Sequence, residues 1–197
     1  MKILRCLPEE VVEYEFLKAE WYKDGFNPVR EKYNEIVVAG DLKNDEQNRI
    51  RKWLLWKARF IILRGIPSDT VWSLCEIDAD QFCELRIIRE IKWENTFRTA
   101  KKLKDVAAKV QEGVTDIRID LGLIEKIKQN IGKYDFKEKL ICISSGLDGP
   151  FTLIEGNHRA VAFQLKYLET GDKSHLPKEV IAGISPKMKI SPWFNMG

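Results

Sequence analysis

Phe151-Thr152-Leu153-Ile154-Glu155-Gly156-Asn157-His158-Arg159-Ala160-Val161-Ala162-Phe163 is the stretch on which the fold turns. Its first five residues are those of a buried strand, and the run from Asn157 to Leu168 has the composition of a helix, with Gly156 between them. A strand that turns directly into a helix exposes the helix's first backbone N–H groups. They lack internal partners and sit at the positive end of the peptide dipoles. Gly156 lets a ligand approach the backbone or takes a φ that other residues resist, and Asn157 is a good helix cap. His158 and Arg159 add side-chain donors, Arg159 in the fork geometry that holds phosphate oxygens in pairs. Gly156, Asn157, His158 and Arg159 therefore read as an anion cradle. Glu155 would be repelled by a bare phosphate, so its expected partner is a metal ion, a hydroxyl donor or Arg159.

Outward from this stretch the elements are short and alternate. Lys139–Ser144 reads as an apolar strand, 145–150 as a turn and Glu179–Ile184 as a last strand. Leu121, Ile124, Ile127 and Ile131 recur at helical spacing, with Asp120 placed to cap them and Gly132 to end them. Asp116–Ile119 is a short alternating segment. This succession predicts an α/β (α+β) domain over 111–197.

The region 1–110 reads as mainly helical, with no evident role. Glu9–Lys23 carries a mixed apolar face, with Pro8 near its first turn and Gly25 past its end. Glu46–Arg64 packs Ile50, Trp53, Leu54, Leu55 and Trp56 so densely that a buried helix is expected, both tryptophans in the core. Gly65–Asp69 breaks the chain. Thr70–Ile77 and Arg86–Ile91 read as strands flanking one helical turn capped by Asp78. A basic helix is expected over Thr99–Glu112, capped by Thr99 and closed by Gly113. Its Lys101, Lys102, Lys104 and Lys109 suit either a solvated face or a polyanion. No Pro/Ser-rich linker separates the two regions, and the boundary falls between Gly65 and Gly113.

The composition, 44% hydrophobic and 32% charged over 197 residues, is that of a globular chain able to bury a core. With 33 basic and 30 acidic residues, the net charge of +3 permits nucleic-acid binding without asking for it. Cys6, Cys75, Cys83 and Cys142 form no CxxC pair and there are two histidines, so a structural zinc site is not expected. Cys142 lies in an apolar strand and reads as an inert core thiol. With no signal-peptide pattern and no apolar run near the ~18 residues of a membrane span, a cytoplasmic protein without membrane contact is expected.

The order helix, strand, turn, strand and Gly-x-His-Arg opening a helix, over 115–185, resembles the ParB/sulfiredoxin-like superfamily, with a ParB N-terminal-like domain. That resemblance implies a small mixed sheet with helices. It also implies nucleotide phosphates on Gly156, Asn157, His158 and Arg159. Sulfiredoxins carry a reactive cysteine directly before the His-Arg pair, where this chain has Asn157, so sulfinic-acid reduction is not expected. ParB partition proteins bind CTP through Gly-Glu-Arg-Arg with further DNA-binding elements downstream, whereas this sequence runs from Arg159 only to Gly197. The free-serine kinase form, Asp-Gly-His-His-Arg, is nearest to Glu155-Gly156-Asn157-His158-Arg159, with Asn157 as the departure.

The expected ligand is ATP or another nucleoside triphosphate with Mg²⁺, and the expected reaction is phosphoryl transfer to an unknown small-molecule acceptor or nucleotide hydrolysis. Arg159 and His158 would stabilise developing charge, Glu155 would hold the metal, and Asp116 or Asp120 would act as base. Asp120 is equally a helix cap. Lys187 or Lys189, after the last strand, would reach the phosphates. His175 reads as an ordinary surface residue. Two other functions compete: a DNA-binding or ParB-like nuclease-type protein working through the Lys101–Lys109 face, and a non-catalytic module that senses a nucleotide.

Overall fold

A computed structural model describes residues 1–97, 101–114, 119–134, 136 and 138–195, the side chains of 58–61 excepted. The strands are β1 (Lys2–Cys6), β2 (Val71–Glu76), β3 (Leu140–Ser144), β4 (Thr152–Glu155) and β5 (Glu179–Ile184). They form one mixed sheet in the order β1-β2-β5-β3-β4. β5 runs antiparallel to β2 and parallel to β3, and β4 returns antiparallel beside β3. All five residues of β3 are buried, as a central strand covered on both faces requires.

The helices are α1 (Glu9–Glu20), α2 (Asn27–Val38), α3 (Asp45–Arg64), α4 (Ala79–Glu84), α5 (Ile91–Phe97), α6 (Leu103–Gln111), α7 (Leu121–Asn130) and α8 (Asn157–Thr170). Short polar side chains set several starts. Asn44 accepts from two amides of α3, Asp78 closes a capping box on α4, and Asp120 accepts from the Leu123 N–H at 2.8 Å to open α7. α8 is buried on all sides from Ala160 to Leu165, with α6 and α7 packed against it.

The strand–turn–helix reading at 151–168 holds, as do α7, β3 and β5. The strand expected at Thr70–Ile77 holds as β2, whereas β1 was not expected, and the separation of 1–110 from the α/β part is corrected: both strands join the sheet that holds β3–β5. Phe16 and Leu17 of α1 lie in the same hydrophobic cluster as Ile141 and Ile181. Arg86–Ile91 is not a strand. Arg86 alone bridges to Thr152 and Lys102, and Asn157 takes the Ile88 amide away from any ladder. α6 begins at Leu103 rather than Thr99, and Thr99 lies outside the described residues. Trp53 and Trp56 are corrected as well. They are 44% and 55% exposed, because Leu54 and Leu55 occupy the inward face of α3. No helix among the described residues is long and apolar enough to cross a membrane.

Candidate functional site

Gly156 precedes α8 with φ +87°, the left-handed conformation that favours glycine, and a Cβ there would run into the Leu140 side chain. The glycine is thus the cap, and Asn157 is the first helical residue. Asn157 has a different duty from the one expected: it is buried, and its Oδ1 accepts from the Ile88 N–H at 3.2 Å. That bond ties the start of α8 to the segment leading into α5.

The first turn of α8 opens into a cleft of about 350 Å³. Its walls come from parts of the chain far apart in sequence: Glu20 and Lys23 at the end of α1, Glu90, Lys92 and Trp93 around the start of α5, and Glu155 to Arg159. Lys23 pairs with Glu20 at 2.5 Å and Lys92 with Glu90 at 3.3 Å, yet Lys23 remains half exposed at the rim.

Glu155 faces Glu20. The two carboxyls are hydrogen-bonded, Glu20 is 1% exposed, and Arg159 Nη2 lies 3.6 Å from Glu155 Oε1. Burial, followed by the charge of Glu20, pushes the Glu155 carboxyl up to about 7 against the pull of Lys23 and Arg159. Near neutral pH the pair therefore keeps a proton. Three cations (Lys23, Lys92, Arg159) then face three carboxyl groups of which one is neutral, and the helix terminus adds its own positive end. The cleft favours an anion.

His158 packs edge-on against Trp93, ring centroids 5.1 Å apart. Burial, with Lys92 and Lys23 nearby, pulls its imidazole down to about 4, so at neutral pH it is an uncharged hydrogen-bonding group. Arg159 is tethered. Its guanidinium donates to the carbonyls of Glu138 and Lys139, with Glu138 Oε2 at 3.9 Å. It braces the start of β3 against α8 and supplies charge at the cleft wall, rather than the free fork expected of it.

Asp120 caps α7, and its charge acts on His158 from outside the cleft. Asp116 lies outside the described residues. Lys187 is corrected. Register places Ile184, three residues before it, beside Ser144 at the far end of β3, whereas Glu155 pairs with Ile141. Lys187 thus sits at the opposite end of the sheet, where it pairs with Asp69 at 3.2 Å. His175 is partly covered and lies 3.2 Å from Asp172.

The residues around Glu155 do not fit a metal site. Its carboxyl is engaged by Glu20 and Arg159, and among the described residues no three His, Cys, Asp or Glu side chains gather as metal ligands. On the basic helix face three of the lysines sit in exposed ion pairs. Lys102 and Lys104 share Glu84 at 2.6 and 2.5 Å, and Lys109 pairs with Glu112 at 2.6 Å.

Glu20, Lys23, Lys92 and Trp93 were missed by reasoning along the sequence. One signal was present: Glu13, Phe16, Leu17 and Glu20 share a stripe of α1 at helical spacing, so Glu20 is an acid on a buried face. The chain matches no family model, no curated protein and no solved structure.

Proposed function

We propose that the chain is a ParB/sulfiredoxin-like nucleotide-binding protein whose phosphates rest at the start of α8. The observation that carries the reading is the convergence of a left-handed Gly156, the open first turn of a 14-residue helix, and Lys23 and Lys92 lining one cleft. Backbone amides supply directed donors and the two lysines supply long-range attraction, as a phosphate chain requires.

Binding is better supported than turnover. A phosphotransferase needs a base at the acceptor and a cation on the transferring group. Here Asp120 caps a helix, His158 is uncharged and Arg159 is held by carbonyls. That distribution favours a nucleotide-sensing module over the small-molecule kinase or nucleotide hydrolase that the motif suggests. Glu155 is the residue through which a kinase would work, accepting the acceptor's proton once its pair with Glu20 ionises.

A thermal-shift series with ATP, ADP, CTP and GTP, each with and without Mg²⁺, tests the reading. A ligand at 100 times its Kd adds about 2.7 kcal/mol of stability. Binding should disappear in the double variant Lys23→Gln, Lys92→Gln while its ligand-free melting stays within a few degrees of wild type. Phosphate release on ATP then separates sensing from catalysis. No shift with any nucleotide overturns the proposal.

A further inference from the structure

A second cleft, of about 470 Å³, opens on the other side of Arg159, which lines both. Its lining combines aromatic rings with the charged Glu138, Lys139, Arg159, Lys178 and Glu179. Phe163, one turn further along α8, and Phe136, on the connection from α7 to β3, meet edge to face with centroids 5.7 Å apart. Tyr134 stands 67% exposed at its mouth, and His175 comes in from the connection between α8 and β5. Gly132 keeps room beside the His175 ring: a Cβ there would lie 3.4 Å from Cε1.

Both clefts lie at the same end of the sheet, where β3 and β5 begin and β4 ends. Along α8 the step from Asn157 to Phe163 is about 9 Å at 1.5 Å per residue. A ligand that passes Arg159, which lines both clefts, would thus have its anionic part at the helix terminus and its other part among the rings. The polar edge of the second cleft carries the Lys139–Glu179 pair at 2.6 Å, a donor and an acceptor side by side.

We infer that this second cleft takes a planar aromatic ring, the base of the nucleotide whose phosphates occupy the first. The inference rests on the phosphate reading of the α8 terminus and adds the subsite that selects the ligand. Aromatic side chains hold a base by its faces, and a paired donor and acceptor read its edge. Volume agrees as well, since small-molecule clefts start at roughly 300 Å³.

Calorimetric titration of the full chain with ATP, CTP, adenosine, cytidine and inorganic tripolyphosphate tests it. The variants are Tyr134→Ala and Phe136→Leu, each checked for unchanged ligand-free melting. Tyr134 is exposed and half-buried Phe136 is replaced by another apolar residue, so both should fold. The tighter-binding of ATP and CTP should lose about tenfold in affinity in each variant, the scale of one base–aromatic contact. Tripolyphosphate should bind all three proteins equally. Unchanged nucleotide affinity beside intact tripolyphosphate binding overturns the ring site and leaves the phosphate cleft standing. A nucleoside that binds wild type, is weakened by the variants, and has no tripolyphosphate counterpart keeps the ring site and removes the phosphate cleft. A wild-type chain that binds none of the five removes both.

Discussion

Glu20 closes α1, Glu155 closes β4, and their carboxyls meet in a hydrogen bond beneath the cleft. Two acids placed this way cannot both ionise cheaply, so the folded chain holds on to a proton that the unfolded chain has released.

The pH dependence of stability should therefore contain two opposed parts. Glu155 is raised from 4.5 to about 7, so stability falls as pH rises across that window. His158 is lowered from 6.5 to about 4, so the unfolded chain takes up its proton first and stability rises with pH between those values. The windows overlap, so in wild type the two parts offset one another from pH 4.5 to 6.5, with Glu13, raised by burial, adding to the falling part. Glu155→Gln removes the share of Glu155, and its melting temperature should climb relative to wild type over the same range. A Glu155→Gln profile with the same slope as wild type would contradict this account of the pair.

Anion affinity should follow the same proton. Above pH 7 the Glu20–Glu155 pair becomes doubly charged and the excess positive charge of the cleft is lost. Tripolyphosphate should bind several-fold more weakly at pH 8 than at pH 6, and Glu155→Gln should abolish that difference. Lys23→Gln and Lys92→Gln should each cost about tenfold at pH 6, the scale of one charge-assisted hydrogen bond. Calorimetry at the two pH values measures all of these.

Gly156→Ala places a Cβ against Leu140 at a φ that L residues resist. Strain of this kind costs about 1–3 kcal/mol. For a chain of this size that corresponds to roughly 2–12 °C in melting temperature. Phosphate binding should weaken with it, because the helix terminus must shift. A variant that melts like wild type would mean the turn relaxes at no cost.

Asn157→Ala leaves the Ile88 N–H buried without its acceptor, at a cost of about 1–3 kcal/mol. Asn157→Asp keeps an oxygen there and adds negative charge at a helix start, where it is favourable, so it should be the milder change. Thermal melting of the two variants settles the order; equal losses would point to packing rather than to the hydrogen bond.

Much of the site's scaffold was legible because it is local. Apolar runs, a glycine and well-placed caps mark β3, β4, α7 and α8, and neighbouring residues decide each of these elements. β1 escaped because Lys2–Cys6 is an exposed edge strand, with all five residues solvent-facing and no alternation to read. The cleft's far walls escaped for a different reason. Glu20 and Lys92 reach α8 only through tertiary packing, and nothing at residue 155 announces a partner at residue 20. Arg159 shows the limit of motif chemistry: its type suits phosphate, but the nearest acceptors in space are the carbonyls of Glu138 and Lys139.

The strand order has a consequence for how the chain is made. β5 is synthesised after the other four strands, yet it lies in the middle of the sheet, between β2 and β3. Until it leaves the ribosome, β1–β2 and β3–β4 are two separate ribbons, each with an unmatched inner edge, and Leu140–Ser144 is among the most apolar segments in the chain. Completion of the fold is thus a late insertion rather than progressive growth, and a nascent chain paused before Glu179 would be a natural client for a chaperone.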